Sequence, residues 1–138
     1  MAESQNVQNI VPYLYYEDGS AALEYLCKTF GFDERMAVRR GDGSLLHGEV
    51  EFEGNVVMIG TPVDADGVPK RLREQSVRHA SIMCYLDDVD AHYARAKAAG
   101  ARITSQLADQ EYGARSYTAE DLEGLHWHFA TRLTEGGA

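Results

Sequence analysis

Two histidines near the end of the chain are among the residues best able to do chemistry. His126 and His128 lie in the segment EDLEGLHWHFAT, residues 120–131. Its alternating pattern predicts a strand, in which successive side chains point to opposite faces. Trp127 and Phe129 would then face the core, and both histidines would share the other face. Imidazoles so placed serve as metal ligands, as acid–base groups or as polar lining of a pocket, and the segment alone leaves all three roles open.

A second titratable pair lies in the first half of the chain. His47 and Glu49 are two residues apart on a predicted strand and therefore share one face. A His–Glu pair in a cavity can have shifted pKa values and can act in acid–base catalysis. The same two side chains could instead pair with each other or with Arg115, which would satisfy polar groups in a partly buried place. The catalytic candidates are His47, Glu49 and His128.

The chain contains an internal repeat at a shift of 70 residues. This shift lays YYED (15–18) on YLDD (85–88) and FEG (52–54) on LEG (122–124). A stretch rich in Pro, Gly and charge separates the two halves, as expected of a connector. We therefore predict a single domain over residues 1–138, consisting of module 1 (about 10–61), a connector (62–78) and module 2 (about 79–131).

Each half is predicted to contain one strand, one helix and three further strands. Alternation, apolar faces at helical spacing and the hairpin signals GDG and EGN support this order. The predicted strands are Ile10–Tyr16, Glu34–Arg40, Leu45–Glu53 and Asn55–Thr61, then Ala80–Leu86, Arg102–Ser105, Ala114–Ala119 and Leu125–Thr131. A four-stranded sheet with one helix has one covered and one bare face. Two such modules could set their bare faces around a shared cavity.

The bare faces define the expected ligand-binding residues. The predicted set is Tyr13, Tyr15, His47, Glu49, Met58, Ser81, Tyr85, Arg115, Tyr117, His126 and His128. The four tyrosines offer flat apolar surface with hydroxyl groups, which suits aromatic, heteroaromatic or cationic ligands. Some of them could instead fill a core or a dimer interface. A register error of one residue would move any strand's set to the opposite face.

Three segments carry a resemblance to a known family. YYEDGSAALEYLCKTFGF, YLDDVDAHYARAKAAGARI and YGARSYTAEDLEGLHWHFA resemble the vicinal oxygen chelate superfamily, which includes glyoxalase I, bleomycin-resistance proteins, fosfomycin-resistance enzymes and extradiol dioxygenases. The resemblance covers about residues 10–131 and implies an α+β fold, in which tandem βαβββ modules form a cupped, mostly antiparallel sheet around a central cavity. The family's closing motif Asp-Pro-x-Gly is here DLEG (121–124), without the proline.

The resemblance also implies where a metal ion would bind. Metal-dependent members place His, Gln or Glu on the first and last strands of each half, and the corresponding residues here are Val11, Met58, Ser81 and His128. One of these four is a competent ligand, whereas a catalytic metal needs about three from the protein. We therefore expect no metal cofactor. A divalent transition metal at a displaced site, drawing on His79, His126, His128 or the His47–Glu49 pair, is the alternative.

Composition limits the possible partners and the compartment. The formal net charge is −9, which argues against nucleic acid and is compatible with cationic ligands. No apolar run approaches the roughly 20 residues of a membrane span, and the first residues lack a signal peptide's apolar segment. Cys27 and Cys84 lie in apolar-patterned segments, which favours buried thiols in a reducing compartment. We predict a cytoplasmic protein without a membrane partner.

The leading functional prediction is a metal-free protein that binds or sequesters a small aromatic or cationic molecule, of the antibiotic-resistance type. The alternative is an enzyme, either a glyoxalase-like lyase or a dioxygenase-type oxidoreductase. Such an enzyme would use a displaced metal site or metal-free acid–base catalysis. Related proteins commonly pair, and open sheet edges favour association, so we also predict a homodimer.

Overall fold

The fold was analysed in a computed structural model that describes residues 8, 10–71 and 80–133. The chain divides into two compact units, Met1–Glu74 (unit 1) and Gln75–Ala138 (unit 2). The described elements are β1 (Tyr13–Tyr15), α1 (Gly19–Phe30), β2 (Asp33–Arg39), β3 (Leu45–Phe52), β4 (Asn55–Gly60), β5 (Ile82–Tyr85), α2 (Val89–Ala98), β6 (Arg102–Gln110), β7 (Ala114–Glu120) and β8 (His126–Arg132). The predicted α+β class and the repeated strand–helix–three-strand order are confirmed. The shared cavity and the single-domain arrangement stay predictions, and residues 72–79 of the predicted joint lie outside the described part.

Unit 1 is a four-stranded sheet covered on one face by α1. Its strand order is β1-β4-β3-β2, with β1 parallel to β4 and the other neighbours antiparallel. The helix begins after Asp18, whose carboxylate accepts a hydrogen bond from the backbone N–H of Ala21. It ends at Gly31, which takes the left-handed conformation with φ 82°. The predicted helix and its C-terminal glycine are therefore found where the sequence indicated.

The packing of α1 shows which face of the unit 1 sheet is covered. A Cβ atom at Gly48 in β3 would lie 2.8 Å from Cδ1 of Leu23 in α1, so the helix approaches the sheet directly at this glycine. Neighbours in a strand point to opposite sides. His47 and Glu49 therefore point away from the helix, as predicted.

Unit 2 repeats this plan with a different core. Its strand order is β5-β8-β7-β6, with β5 parallel to β8. The carboxylate of Asp88 accepts from the N–H of Ala91 at the start of α2. Aromatic side chains dominate the buried interior, namely Tyr117, Trp127 and Phe129. Within the described residues, neither helix is long and apolar enough to span a bilayer.

The second hairpin of unit 2 is one residue longer than its counterpart in unit 1. In unit 1, Phe52 pairs with Asn55 across a two-residue turn. In unit 2, the N–H of Asp121 donates to the carbonyl of Leu125 across a three-residue loop, at 2.9 Å. The extra residue leaves a shift of 70 for β4 and β8, but reduces it to 69 for β3 and β7. A shift of 70 along the whole chain therefore assigns β7 to the wrong face.

Arg115 and Tyr117 are the two predicted ligand-binding residues affected. Tyr117 pairs with Phe129, is fully buried, and lies 2.6 Å from Nδ1 of His92 in α2 through its hydroxyl oxygen. Arg115 donates from Nε to Asp90 of α2 at 2.8 Å. The predicted placement of both on the open face was wrong, because the longer hairpin shifts the pairing register of β7 by one residue.

The two cysteines are free thiols in different units. Cys27 lies in α1 of unit 1 and Cys84 in β5 of unit 2, and each is half-buried. Burial raises the pKa of Cys84 to about 12, so this thiol stays protonated near neutral pH.

Candidate functional site

The open face of unit 1, meaning the side of its sheet opposite α1, gathers five of the predicted ligand-binding residues. Met58 in β4 pairs with Tyr13 in β1 on one side and with Glu49 in β3 on the other. Tyr15 follows Tyr13 at the next position on the same face, and His47 precedes Glu49 in the same way. Three adjacent strands thus bring aromatic, imidazole and carboxylate groups together.

A chain of hydrogen bonds connects three of these side chains. The hydroxyl oxygen of Tyr13 lies 2.9 Å from Nδ1 of His47. The other ring nitrogen of His47, Nε2, lies 2.9 Å from Oε2 of Glu49. The predicted His–Glu pairing is present, and Tyr13 extends it towards the edge strand. Its alternative partner Arg115 belongs to unit 2 and points towards α2 there.

Arg35 was not predicted as a site residue, although it interacts with both carboxylates of this face. It lies at an irregularity of the β2–β3 pairing, between Glu34 and Met36. Its guanidinium is 3.6 Å from Glu49 and 3.6 Å from Glu51. A bulge of this kind redirects a side chain relative to simple alternation, and no local pattern in the sequence indicates it.

Gly60 gives Tyr13 the space it needs to reach β3. Tyr13 is on β1 and His47 on β3, so the phenol ring must cross β4, which lies between them. A Cβ atom at Gly60 would stand 3.2 Å from Cε1 and 3.2 Å from the hydroxyl oxygen of Tyr13. The ring of Tyr15 stacks beside that of Tyr13, with centroids 5.0 Å apart and planes at 29°.

The ionisation of Tyr13 follows from these neighbours. Partial burial, the adjacent Tyr15 and the charge of Glu49 all raise the pKa of the Tyr13 phenol above its ordinary value. Each of these effects disfavours a phenolate. Tyr13 therefore carries its proton at neutral pH and interacts as a neutral hydroxyl group.

The open face of unit 2, opposite α2, contains both histidines of the LHWHF segment. Nδ1 of His128 lies 2.8 Å from the hydroxyl of Thr118, and Nε2 of His126 lies 3.1 Å from Glu120. Burial, and then the charge of His126, lower the pKa of His128. Burial raises the pKa of Glu120, but hydrogen bonds from Arg102 and His126 outweigh this and hold it below its usual value.

The remaining predicted residues of unit 2 lie on or next to β5. Tyr85 is on this strand, and the guanidinium carbon of Arg132 stands 3.7 Å from its ring centroid, a cation–π contact. Met83 pairs with His128 on the adjacent strand. Ser81 is exposed and immediately precedes the strand. Thr118, Glu120 and Arg132 were not predicted, because they depend on the register of β7 and on cross-strand contacts.

The donor set at the positions implied for a metal does not fit a catalytic transition metal. In unit 1, Val11 offers no donor atom and Met58 offers a thioether, while in unit 2 His128 has one ring nitrogen engaged by Thr118. Such metals take about three imidazole or carboxylate ligands. Among the described residues of either unit, no group of three or more His, Cys, Asp or Glu lies close enough to hold a metal ion. His79 is outside the described residues.

Comparison with known proteins connects this geometry to one family. The model of the Glyoxalase/Bleomycin resistance protein/Dioxygenase superfamily matches residues 7–129. An uncharacterized protein from Mycobacterium bovis is 30% identical over 126 residues, which cover 90% of this chain and 83% of that protein. A relative from Mycobacterium tuberculosis, also uncharacterized, has the same identity and coverage of this chain and is covered over 74% of its length. These matches confirm the resemblance drawn from the three segments.

Solved structures agree with the fold. The crystal structure of TioX from Micromonospora sp. ML1 is 30% identical with a TM-score of 0.72, and the alignment covers 92% of this chain and 100% of TioX. A glyoxalase-related enzyme from Clostridium phytofermentans has a TM-score of 0.68 at 16% identity, covering 92% of this chain and 96% of the enzyme. At that identity the second comparison supports the fold alone.

Proposed function

Because the chain belongs to the Glyoxalase/Bleomycin resistance protein/Dioxygenase superfamily, we propose that it binds or sequesters a small aromatic or cationic organic molecule without a catalytic metal ion. The supporting observation is the stacked pair of Tyr13 and Tyr15 on the open face of unit 1. Tyr15 is 59% exposed, so one tyrosine ring is held in place and still offers surface to a planar ligand.

Charge on the same face supports a preference for cations. Glu49 and Glu51 contribute two negative charges, and Arg35 contributes one positive charge between them. With His47 neutral, these side chains carry a net charge of −1 beside the tyrosine pair. A planar cation gains both from the ring faces and from this carboxylate excess.

The proposal extends to the rest of the molecule. The aromatic and thioether groups of Tyr85 and Met83, with His128, would contribute a second apolar surface. In the arrangement proposed for the family fold, the two open faces line one cavity. A homodimer in the cytoplasm, acting on a small molecule, is the corresponding cellular picture.

Calorimetric titration of the full chain tests this proposal. The ligands are acridine orange, a planar cation, the anionic dye fluorescein, and bleomycin as a representative drug. We expect the cation or the drug to bind, and Tyr15→Ala to weaken binding about tenfold, since stacking on an aromatic ring contributes about 1–3 kcal/mol. Tyr112→Ala is the matched control, because Tyr112 is 60% exposed on the β6–β7 connection. Equal loss in both variants would contradict a specific role for the tyrosine pair.

A metal-free acid–base enzyme, lyase-like or oxygenase-like in origin, is the second candidate. It is favoured by the position of His47 between Tyr13 and Glu49, which is suited to proton transfer. If a bound ligand is converted to product, mass spectrometry will detect it, and His47→Gln should abolish conversion more than binding. A ligand recovered unchanged after prolonged incubation would favour simple binding.

A further inference from the structure

The hydrogen-bond chain on the open face of unit 1 has a definite direction. Glu49, as a carboxylate, has acceptor atoms and no proton to donate. The Nε2 atom of His47, 2.9 Å away, must therefore carry the ring proton of the neutral imidazole. Nδ1 is then the unprotonated nitrogen and can only accept, so the hydroxyl group of Tyr13 must donate to it.

This direction determines what Tyr13 can offer to a bound molecule. Its single proton is committed to His47, and no other described residue forms a hydrogen bond to its hydroxyl oxygen. The lone pairs of that oxygen therefore form the outer end of the chain. Hydrogen bonds in series polarise one another, so the phenol oxygen is a better acceptor here than in an isolated tyrosine.

We infer that the open face of unit 1 selects ligands that combine a planar ring with an N–H donor, best a protonated amidine or amine, and that Tyr13 is the acceptor that recognises it. This inference rests on the proposed binding function and narrows its ligand class. An acceptor-only ligand such as a carboxylate meets lone pairs instead of a proton at this point. A cation without N–H groups gains from charge and ring surface but not from the hydrogen bond.

Three neighbouring features support the assignment. The raised pKa of Tyr13 keeps its proton in place, so the chain is not disrupted by ionisation at neutral pH. Arg35 contacts Glu49 through the carboxylate oxygen Oε1, which leaves Oε2 for His47. The stacked ring of Tyr15 provides the surface on which the planar part of the ligand would lie.

The tautomer can be tested on the protein alone. The ¹⁵N chemical shifts of the His47 ring distinguish Nδ1–H from Nε2–H, and we expect Nε2–H for the neutral ring. Glu49→Gln should weaken this preference, since an amide can donate as well as accept. Observation of the Nδ1–H tautomer in the wild-type protein would overturn the inference, because Tyr13 would then be free to donate outward.

Three small probes test the ligand class by NMR titration at neutral pH. Benzamidine is a planar cation with N–H donors, trimethylphenylammonium is a planar cation without them, and benzoate has acceptors alone. We expect benzamidine to bind about tenfold more tightly than the other two, as one hydrogen bond to a charged group allows. Tyr13→Phe retains the ring and should reduce the preference for benzamidine over trimethylphenylammonium to about one, while the affinity for trimethylphenylammonium stays unchanged.

The possible results separate the two levels of the proposal. Equal binding of both cations, insensitive to Tyr13→Phe, would overturn the selection by hydrogen bonding and leave aromatic cation binding intact. Tightest binding of benzoate would show that Tyr13 donates, which also overturns it. If none of the probes shifts the resonances of the open face, both the inference and the proposed binding function at this face are refuted.

Discussion

Tyr13 lies directly over Gly60, whose absent Cβ leaves the space for the phenol ring to reach His47. The contact distances from a built Cβ to the ring carbon Cε1 and to the hydroxyl are both 3.2 Å, tighter than most such contacts. The corresponding position of unit 2 is occupied by Ala130, which pairs with Tyr85 as Gly60 pairs with Tyr15. The glycine is therefore specific to the half that carries the Tyr–His–Glu chain.

Gly60→Ala should displace the Tyr13 ring by a few tenths of an ångström and weaken its hydrogen bond to His47. We expect a loss of benzamidine affinity of about three- to tenfold, in line with a partly lost hydrogen bond. The ¹⁵N shifts of the His47 ring report the same change without any ligand. Ala130→Gly is the control and should leave both measurements unaltered. Unchanged His47 shifts in Gly60→Ala would contradict the role given to the glycine.

Asp121 holds the β7–β8 turn and the indole of the core together. One carboxylate oxygen accepts from the backbone N–H groups of Glu123 and Leu125, and the other accepts from Nε1 of Trp127 at 3.0 Å. Asp121→Asn replaces one acceptor oxygen by an NH₂ group, so at least one buried donor faces another donor. We expect the free energy of unfolding to fall by about 2 kcal/mol or more, measured by urea denaturation.

The same substitution in a Trp127→Phe background provides the control for this prediction. The indole N–H is then absent, so Asp121→Asn should cost less than in the wild-type background. If its cost were the same in both backgrounds, the carboxylate–indole bond would not be a source of stability.

The face assignment of β7 can be tested with two neighbouring residues. Tyr117 is fully buried against Phe129, whereas Thr118 lies on the open face beside His128. Tyr117→Ala should cost about 3–5 kcal/mol through the cavity that it leaves. Thr118→Ala should cost about 1 kcal/mol, the contribution of one partly exposed hydrogen bond. The reverse order in chemical denaturation would restore the register expected from a uniform shift of 70 residues.

The lowered pKa of His128 predicts a dependence of stability on pH. Burial and the charge of His126 disfavour the imidazolium in the folded state. An unfolded chain takes up this proton below its ordinary pKa, about 6.5, before the folded protein does. The contribution of His128 is therefore unchanged above that pH, and stability falls as the pH drops through and below it.

NMR titration should give His128 a midpoint below the ordinary value. His126→Gln should raise this midpoint part of the way, because the contribution from burial remains. A midpoint at or above the ordinary value in the wild-type protein would contradict the prediction.

Metal addition tests the metal-free proposal. With Zn²⁺, Ni²⁺, Mn²⁺ or Fe²⁺ in excess, we expect no specific rise in Tm, since His128 is the one imidazole at the positions implied by the family. His128→Ala should itself cost less than about 1 kcal/mol, because the half-buried ring belongs to a small polar network. A thermal shift with one of these metals that His128→Ala abolishes would establish a metal site, with His47 and Glu49 as further ligands to examine.

The sequence by itself determined the order of elements, the covered faces of most strands and the family. These properties depend on short-range patterns. Alternation in β8 separates Trp127 from His128, helical spacing defines the buried side of α1, and Gly31 marks the end of that helix. The His47–Glu49 pair was predictable for the same reason, since two residues at i and i+2 in a strand must share a face.

Only the tertiary structure decided which polar groups meet. One additional residue in the turn after Glu120 reverses the face of Tyr117, although the local pattern of β7 fits either register. The bulge that brings Arg35 to two carboxylates, and the passage of Tyr13 over Gly60, depend on neighbouring strands that are distant in sequence. Cross-strand register sums turn lengths and bulges along the chain, so a single residue changes it while leaving every local periodicity intact.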